Sequence, residues 1–141
     1  MKKHLILFIF ATIGLNIHFC SAENDTILTM EKDSNYVYQI TEVDKKPEFI
    51  GGNDALLKFI AKTLKLPPIY QESAGQSNVI CQFIIEKDGS ISNITIVKKS
   101  FDSLFDKEAI RILELMPNWT SAEKNGSKVR CYYTIPIRFK F

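Results

Sequence analysis

Hydrophobic and polar positions alternate most regularly at the C-terminal end of the chain. Val129, Cys131, Tyr133, Ile135, Ile137, Phe139 and Phe141 fall on one face, and Arg130, Tyr132, Thr134, Pro136, Arg138 and Lys140 on the other. A period of two is that of a strand with one face in a core and the other in water. Proline has no N–H to give to a ladder, so Pro136 predicts an edge strand with the missing donor turned outward. Val79, Cys81, Phe83 and Ile85 alternate in the same way. They lead into Lys87-Asp88-Gly89-Ser90, a hairpin turn in which glycine accepts positive φ without strain, and Ile94 and Ile96 mark the returning strand. Two stretches switch to helical spacing. Leu56, Leu57, Ile60 and Leu64 lie between Asn53, read as a cap, and Pro67-Pro68; Phe105, Ala109, Ile112, Leu113 and Met116 lie between Ser103, read as a cap, and Pro117. Tyr36, Tyr38 and Ile40 predict a short strand ahead of the turn residues Pro47 and Gly51-Gly52. A loop through Asn125-Gly126 leads to the last strand.

This order predicts an α+β fold. An antiparallel sheet of three to four strands carries two helices on one face, with a β-β-α-β core preceded by a helix. The helical crossover makes the second hairpin strand and the last strand parallel, with the first hairpin strand between them. Cys81 and Cys131 each lie near the start of their own strand, at opposite ends of two antiparallel neighbours. That is beyond the roughly 7 Å Cα separation a disulfide tolerates, so no bridge between them is expected.

The first 22 residues break the pattern. Lys2 and Lys3, the apolar stretch Leu5 to Phe19 and the small-residue site Cys20-Ser21-Ala22 read as a secretory signal, residues 1–22. The apolar stretch falls short of the roughly 20 residues of a spanning helix and contains Asn16 and His18, although an uncleaved inner-membrane anchor is the alternative. Residues 23–42 read as a leader with the short strand, and residues 43–141 as one domain of a size that buries a core without staples. The expected fate of the mature chain is export.

Charge and chemistry narrow the function. The net charge is +2, and Lys2 and Lys3 account for it because no Asp or Glu precedes Glu23. A nearly neutral remainder has no electrostatic pull on nucleic acid. His4 and His18 are the only histidines. Without one after residue 22, Ser-His-Asp and Cys-His catalysis and the commonest transition-metal ligand are excluded there, and two isolated cysteines do not make a structural zinc site. No catalytic residue, metal or cofactor is expected. Asp102, Asp106 and Glu108 sit where carboxylates favour a helix dipole, and Trp119, after a helix-ending proline, reads as a plug over the core. Asn93-Ile94-Thr95 and Asn118-Trp119-Thr120 match the N-glycosylation pattern.

Four motifs in order carry a resemblance: Pro47-Glu48-Phe49-Ile50-Gly51-Gly52, Asp88-Gly89-Ser90-Ile91, Met116-Pro117-Asn118-Trp119 and Ile135-Pro136-Ile137-Arg138-Phe139. Together they resemble the signatures of TonB C-terminal domains over Val43 to Phe141. The chain departs from the family between the first helix and the hairpin, where it carries Leu66-Pro67, Tyr70, Ala74 and Ser77. Energy-transducing members have a membrane helix and a long spacer; Glu23 to Lys46 reaches under roughly 90 Å even fully extended.

The resemblance implies a periplasmic protein-binding module, not an enzyme. In the family a short segment of an outer-membrane transporter pairs with the exposed last strand. The corresponding partner-binding residues here are Arg130, Tyr132, Thr134, Pro136 and Arg138, with a protein partner and no nucleic acid or small-molecule cofactor; a homodimer is left open. Edge proline and basic residues also guard an edge against pairing, so a standalone structural or regulatory protein is the alternative. Tyr36 to Val43 has the strand character to cover that edge, and whether it does separates the two.

Overall fold

A computed structural model describes residues 33–141; the predicted signal and the first half of the leader lie outside the described residues. The elements are β1 (Val37–Tyr38), α1 (Gly52–Thr63), β2 (Gln76–Ile85), β3 (Ile91–Lys98), α2 (Ser103–Glu114), β4 (Ala122–Lys124) and β5 (Ser127–Lys140), with a 3-10 turn at Pro68–Tyr70. The strands run in the order β1-β5-β2-β3, and β4 pairs with the start of β5. The expected order of hairpin and last strand is therefore the observed one.

The sheet is mixed rather than purely antiparallel, and it has five strands. β1 runs parallel to β5, with Val37 opposite Arg130 and Tyr38 opposite Cys131. No hairpin joins these two strands, so nothing local imposes an antiparallel direction. The fifth strand comes from Asn125-Gly126, which is a two-residue hairpin turn and not an open loop. Asn125 (φ 51°) and Gly126 (φ 78°) are both left-handed, as the twist-matched hairpin turn requires, and Lys124 pairs with Ser127 across it.

The core lies between the helices and one sheet face. Val79, Cys81, Phe83 and Ile85 of β2 and Ile135, Ile137 and Phe139 of β5 are all buried against Leu56 of α1 and Phe105, Ala109, Ile112 and Leu113 of α2. Each large side chain buried this way contributes about 1.5–3 kcal/mol by removal from water. Trp119 closes one end as expected, edge-on to Phe49 with ring centroids 5.4 Å apart. The hairpin tip presses against the chain there: Trp119 N–H donates to Gly89 O at 2.7 Å, and a Cβ on Gly89 would lie 1.9 Å from Trp119 O. The glycine is needed for that approach as well as for its φ of 85°.

Both helix caps differ from the sequence reading. α1 starts at Gly52 behind a left-handed Gly51, so Asn53 sits inside the first turn and caps nothing. Phe49, buried beside Trp119, anchors the entry, and its carbonyl accepts Gly52 N–H at 2.8 Å. Before α2 the cap is Asp102, not Ser103, with its carboxylate accepting Leu104 N–H at 2.9 Å. The other carboxylate oxygen accepts Tyr70 O–H at 2.7 Å, which ties the 3-10 turn to the helix start.

Candidate functional site

The antiparallel alternation of β2 and β5 decides which way each backbone group of β5 points. Gly75 and Phe141 exchange both hydrogen bonds, and the register continues unbroken from Gln76 opposite Lys140 to Ile85 opposite Cys131. Closely bonded pairs alternate with open ones, so odd-numbered residues of β5 bond to β2 and even-numbered ones turn their N–H and C=O outward. Pro136 is even-numbered. Its missing N–H faces away from β2, and the β2-β5 ladder loses nothing to it.

What covers that outward side is short. β1 meets β5 only at Arg130 and Cys131, and β4 pairs with Ser127 to Val129, before the stretch that begins at Tyr132. After Tyr38 the chain turns away: Gln39 O accepts Glu42 N–H at 3.0 Å, and the Glu42 carboxylate accepts Gln39 N–H at 2.7 Å. From there it runs to β4, where Asp44 and Lys45 N–H both donate to Glu123 O. Among the described residues no strand pairs with the outer edge of β5 from Tyr132 to Lys140. That stretch presents outward N–H groups at Tyr132, Thr134, Arg138 and Lys140, and outward carbonyls at these and Pro136.

The sequence-predicted residues therefore divide. Arg130 lies at the closed end, where its guanidinium clasps Glu86 (2.7 and 2.9 Å) and Nη1 donates to Asn35 O. That guanidinium is the main reason the Glu86 carboxyl is held below its ordinary pKa. Tyr132, Thr134, Pro136 and Arg138 lie on the open stretch, with Thr134, Pro136 and Arg138 exposed and Tyr132 half-buried. Arg138 and Lys140 form no ion pair among the described residues.

One wall of the site escaped the sequence reading. Leu57, Ile60 and Ala61 of α1 and Leu64, which caps its end, face Pro136, Arg138 and Lys140 across a groove of about 550 Å³. These four positions make an i, i+3, i+4, i+7 stripe, whereas Leu56 turns into the core. The available signal was the adjacency of Leu56 and Leu57, since neighbours on a helix cannot share one narrow face. Leu57 is 58% exposed.

The other candidates have structural tasks. Asp106 accepts Ser100 N–H at 2.8 Å, and Glu108 accepts Lys65 N–H at 2.7 Å and Arg111 Nε–H at 2.8 Å. The two cysteines are free and buried, four residues apart along the β2-β5 ladder or about 14 Å. Burial pushes both thiols up to about 11, with the Asp106 charge adding to the effect at Cys81 and that of Glu42 at Cys131. Among the described residues no group of His, Cys, Asp or Glu is placed to hold a metal ion, and no helix is long and apolar enough to cross a membrane.

The fold is a small α+β domain whose last strand is covered only near its start among the described residues. Residues 62–141 match the family described as Gram-negative bacterial TonB protein C-terminal, and the chain belongs to that family. Among solved structures it is similar to the NMR structure of the C-terminal domain of Helicobacter pylori TonB, at 22% identity, covering 61% of this chain and 77% of that one with a TM-score of 0.42. No curated protein matches.

Proposed function

We propose that this protein is an exported periplasmic binding module that recognises an extended segment of an outer-membrane transporter by adding it as a strand to β5. The observation that carries the reading is the uncovered ladder from Tyr132 to Lys140 among the described residues. An unpaired edge offers main-chain donors and acceptors that an extended peptide completes, and alternate side chains supply selectivity. The leader strand stops at Cys131 instead of filling the edge, which supports the binding reading over a structural or regulatory one. Membership of the family supports a protein partner. Tyr132, Thr134, Pro136 and Arg138 carry the contact, while Arg130 holds the closed end in shape. The N-terminal signal, residues 1–22, delivers the chain to the periplasm.

Thr134→Pro tests this. It removes a second outward N–H and leaves the β2-β5 ladder intact. Capture of an envelope transporter by the wild-type protein, lost in a Thr134→Pro variant with an unchanged denaturation midpoint, is the expected result. Undiminished capture by the folded variant overturns edge recognition and directs the search to the surface around Leu66 to Ser77.

A further inference from the structure

We infer that the sheet face over the end of β5 carries a site for an organic phosphate, held by Arg138 and Lys140 together with the amides of Gln76 and Asn78. The site uses side chains on the face of the sheet and does not depend on strand addition at its edge.

Strand register builds the site. Asn78 lies opposite Arg138 and Gln76 opposite Lys140. Both are open pairs of the ladder, since the bonded pairs fall on odd-numbered residues of β5, and open pairs bring their Cα atoms to roughly 4.5 Å with the side chains close together. Residues two apart on a strand share a face and lie about 7 Å from each other. Four polar side chains thus stand at the corners of a small rectangle. They line a cavity of about 510 Å³, whose other lining residues are Ser77 and Phe139. Those two are buried, so their side chains turn to the core and their backbone forms the floor. Arg138 and Lys140 stand between this cavity and the α1 groove, which they also border.

The lining is chemically one-sided. None of the six residues is acidic, and neither cation has a carboxylate partner among the described residues. Elsewhere along β5 polar side chains are matched: Arg130 pairs with Glu86, and Thr134 Oγ1 accepts from Gln82 Nε2 at 3.4 Å. Two like charges side by side on one face repel, and a bound anion removes that repulsion. A carboxylate is saturated by one guanidinium fork, which leaves the ammonium and the amides unused. The terminal oxygens of a phosphate ester accept from the fork, the ammonium and both amide N–H groups together. The cavity falls in the roughly 300–1,000 Å³ range of small-molecule sites, more than a bare phosphate fills, so the phosphate carries an organic group: a sugar, or the glycerol of a lipid headgroup.

The test is isothermal titration calorimetry of the full chain with glucose phosphate, glycerol phosphate and glucuronate. Both phosphates are expected to bind, and glucuronate about tenfold more weakly. Arg138→Gln combined with Lys140→Gln should weaken phosphate binding about tenfold or more, and Asn78→Leu, a separate exposed position, about threefold. Lys58→Gln combined with Lys62→Gln removes the same charge from exposed positions of α1 and should leave binding unchanged. Denaturation midpoints without ligand confirm that the variants fold. Tighter binding of glycerol phosphate assigns a lipid headgroup as the source of the ligand, and tighter binding of glucose phosphate a phosphorylated sugar. Equal weakening by the two double variants reduces the effect to overall charge and overturns the site. Undiminished binding in the Arg138 and Lys140 double variant, equal affinity for glucuronate, or no heat from either phosphate at millimolar concentration overturns it as well.

Discussion

The two long edges of this sheet end differently. β3 forms one edge over its whole length, from Ile91 to Lys98, and its sequence is rich in β-branched residues. Its ladder with β2 is broken twice. Ile80 pairs with Lys98 but Cys81 with Ile96, leaving Val97 as an extra residue, and a second slip falls between Thr95 and Ser92, where Asn93 takes a φ of 54°. Bulges bend an edge and interrupt the row of donors and acceptors that another strand would need. On the β5 side the ladder with β2 runs without a slip, and the open stretch lacks only the Pro136 donor. The edge that is guarded by backbone irregularity and the edge that is left regular are thus told apart by register, although both are strands of similar apolar content.

Both edges hang on one shared support, the core faces of β2 and β5. The largest expected effect tests that support. Phe83→Ala and Ile135→Ala should each cost about 2–5 kcal/mol in chemical denaturation, whereas Arg138→Ala on the wet face should stay within about 0.5 kcal/mol. Equal losses for all three would break the assignment of faces.

Next in size is the guard on β3. Asn93→Val places a β-branched residue in a left-handed conformation and should cost about 1–2 kcal/mol, while Asn93→Gly should leave stability nearly unchanged. If valine is tolerated as well as glycine, the bulge is not held by this residue and the contrast between the edges weakens.

A smaller effect separates the closed and open ends of β5. Arg130, and secondarily the Ser92 hydroxyl, depress the Glu86 carboxyl. A depressed carboxyl stabilises the fold above its unfolded pKa, near 4.3, and that contribution is lost as pH falls through the lower folded value. Stability measured from about pH 5 to about pH 3 should therefore fall less steeply in Glu86→Gln than in wild type. Asp44, Asp88, Asp102 and Glu108 are depressed too, so a residual slope should remain. Removing Arg138 should not change the slope, since that side chain has no carboxylate partner among the described residues.

The smallest expected signal is chemical. Under native conditions Cys81 and Cys131 should resist alkylation, because each is fully buried and its thiol is pushed to about 11; both should be modified once the chain is unfolded without reductant. An intramolecular bridge found by mass spectrometry would contradict the register that distinguishes the two edges.

Much of this architecture was legible along the chain, where the determining forces are local. Period-two burial marked β2 and β5, period-3.6 burial marked both helices, and the glycine of Asp88-Gly89-Ser90 marked the hairpin. Errors came where a neighbour in space competed. Asn53 lost its role because Phe49, held by Trp119, starts α1 earlier, and Asp102 displaced Ser103 as cap while also bonding Tyr70. The Asn125-Gly126 hairpin signal was present but went unread because β4 is only three residues long.

For the candidate site, the sequence by itself determined the two faces of β5 and the direction of the gap at Pro136, since proline chemistry and side-chain alternation are properties of the strand alone. Only the tertiary structure decided how much of the edge stays open. That depends on where the leader turns away after Tyr38, on the hydrogen bonds that carry Asp44 and Lys45 to Glu123, and on the placement of α1 with Leu57 toward Lys140. These contacts join residues far apart in sequence, and no local pattern encodes the distance between them.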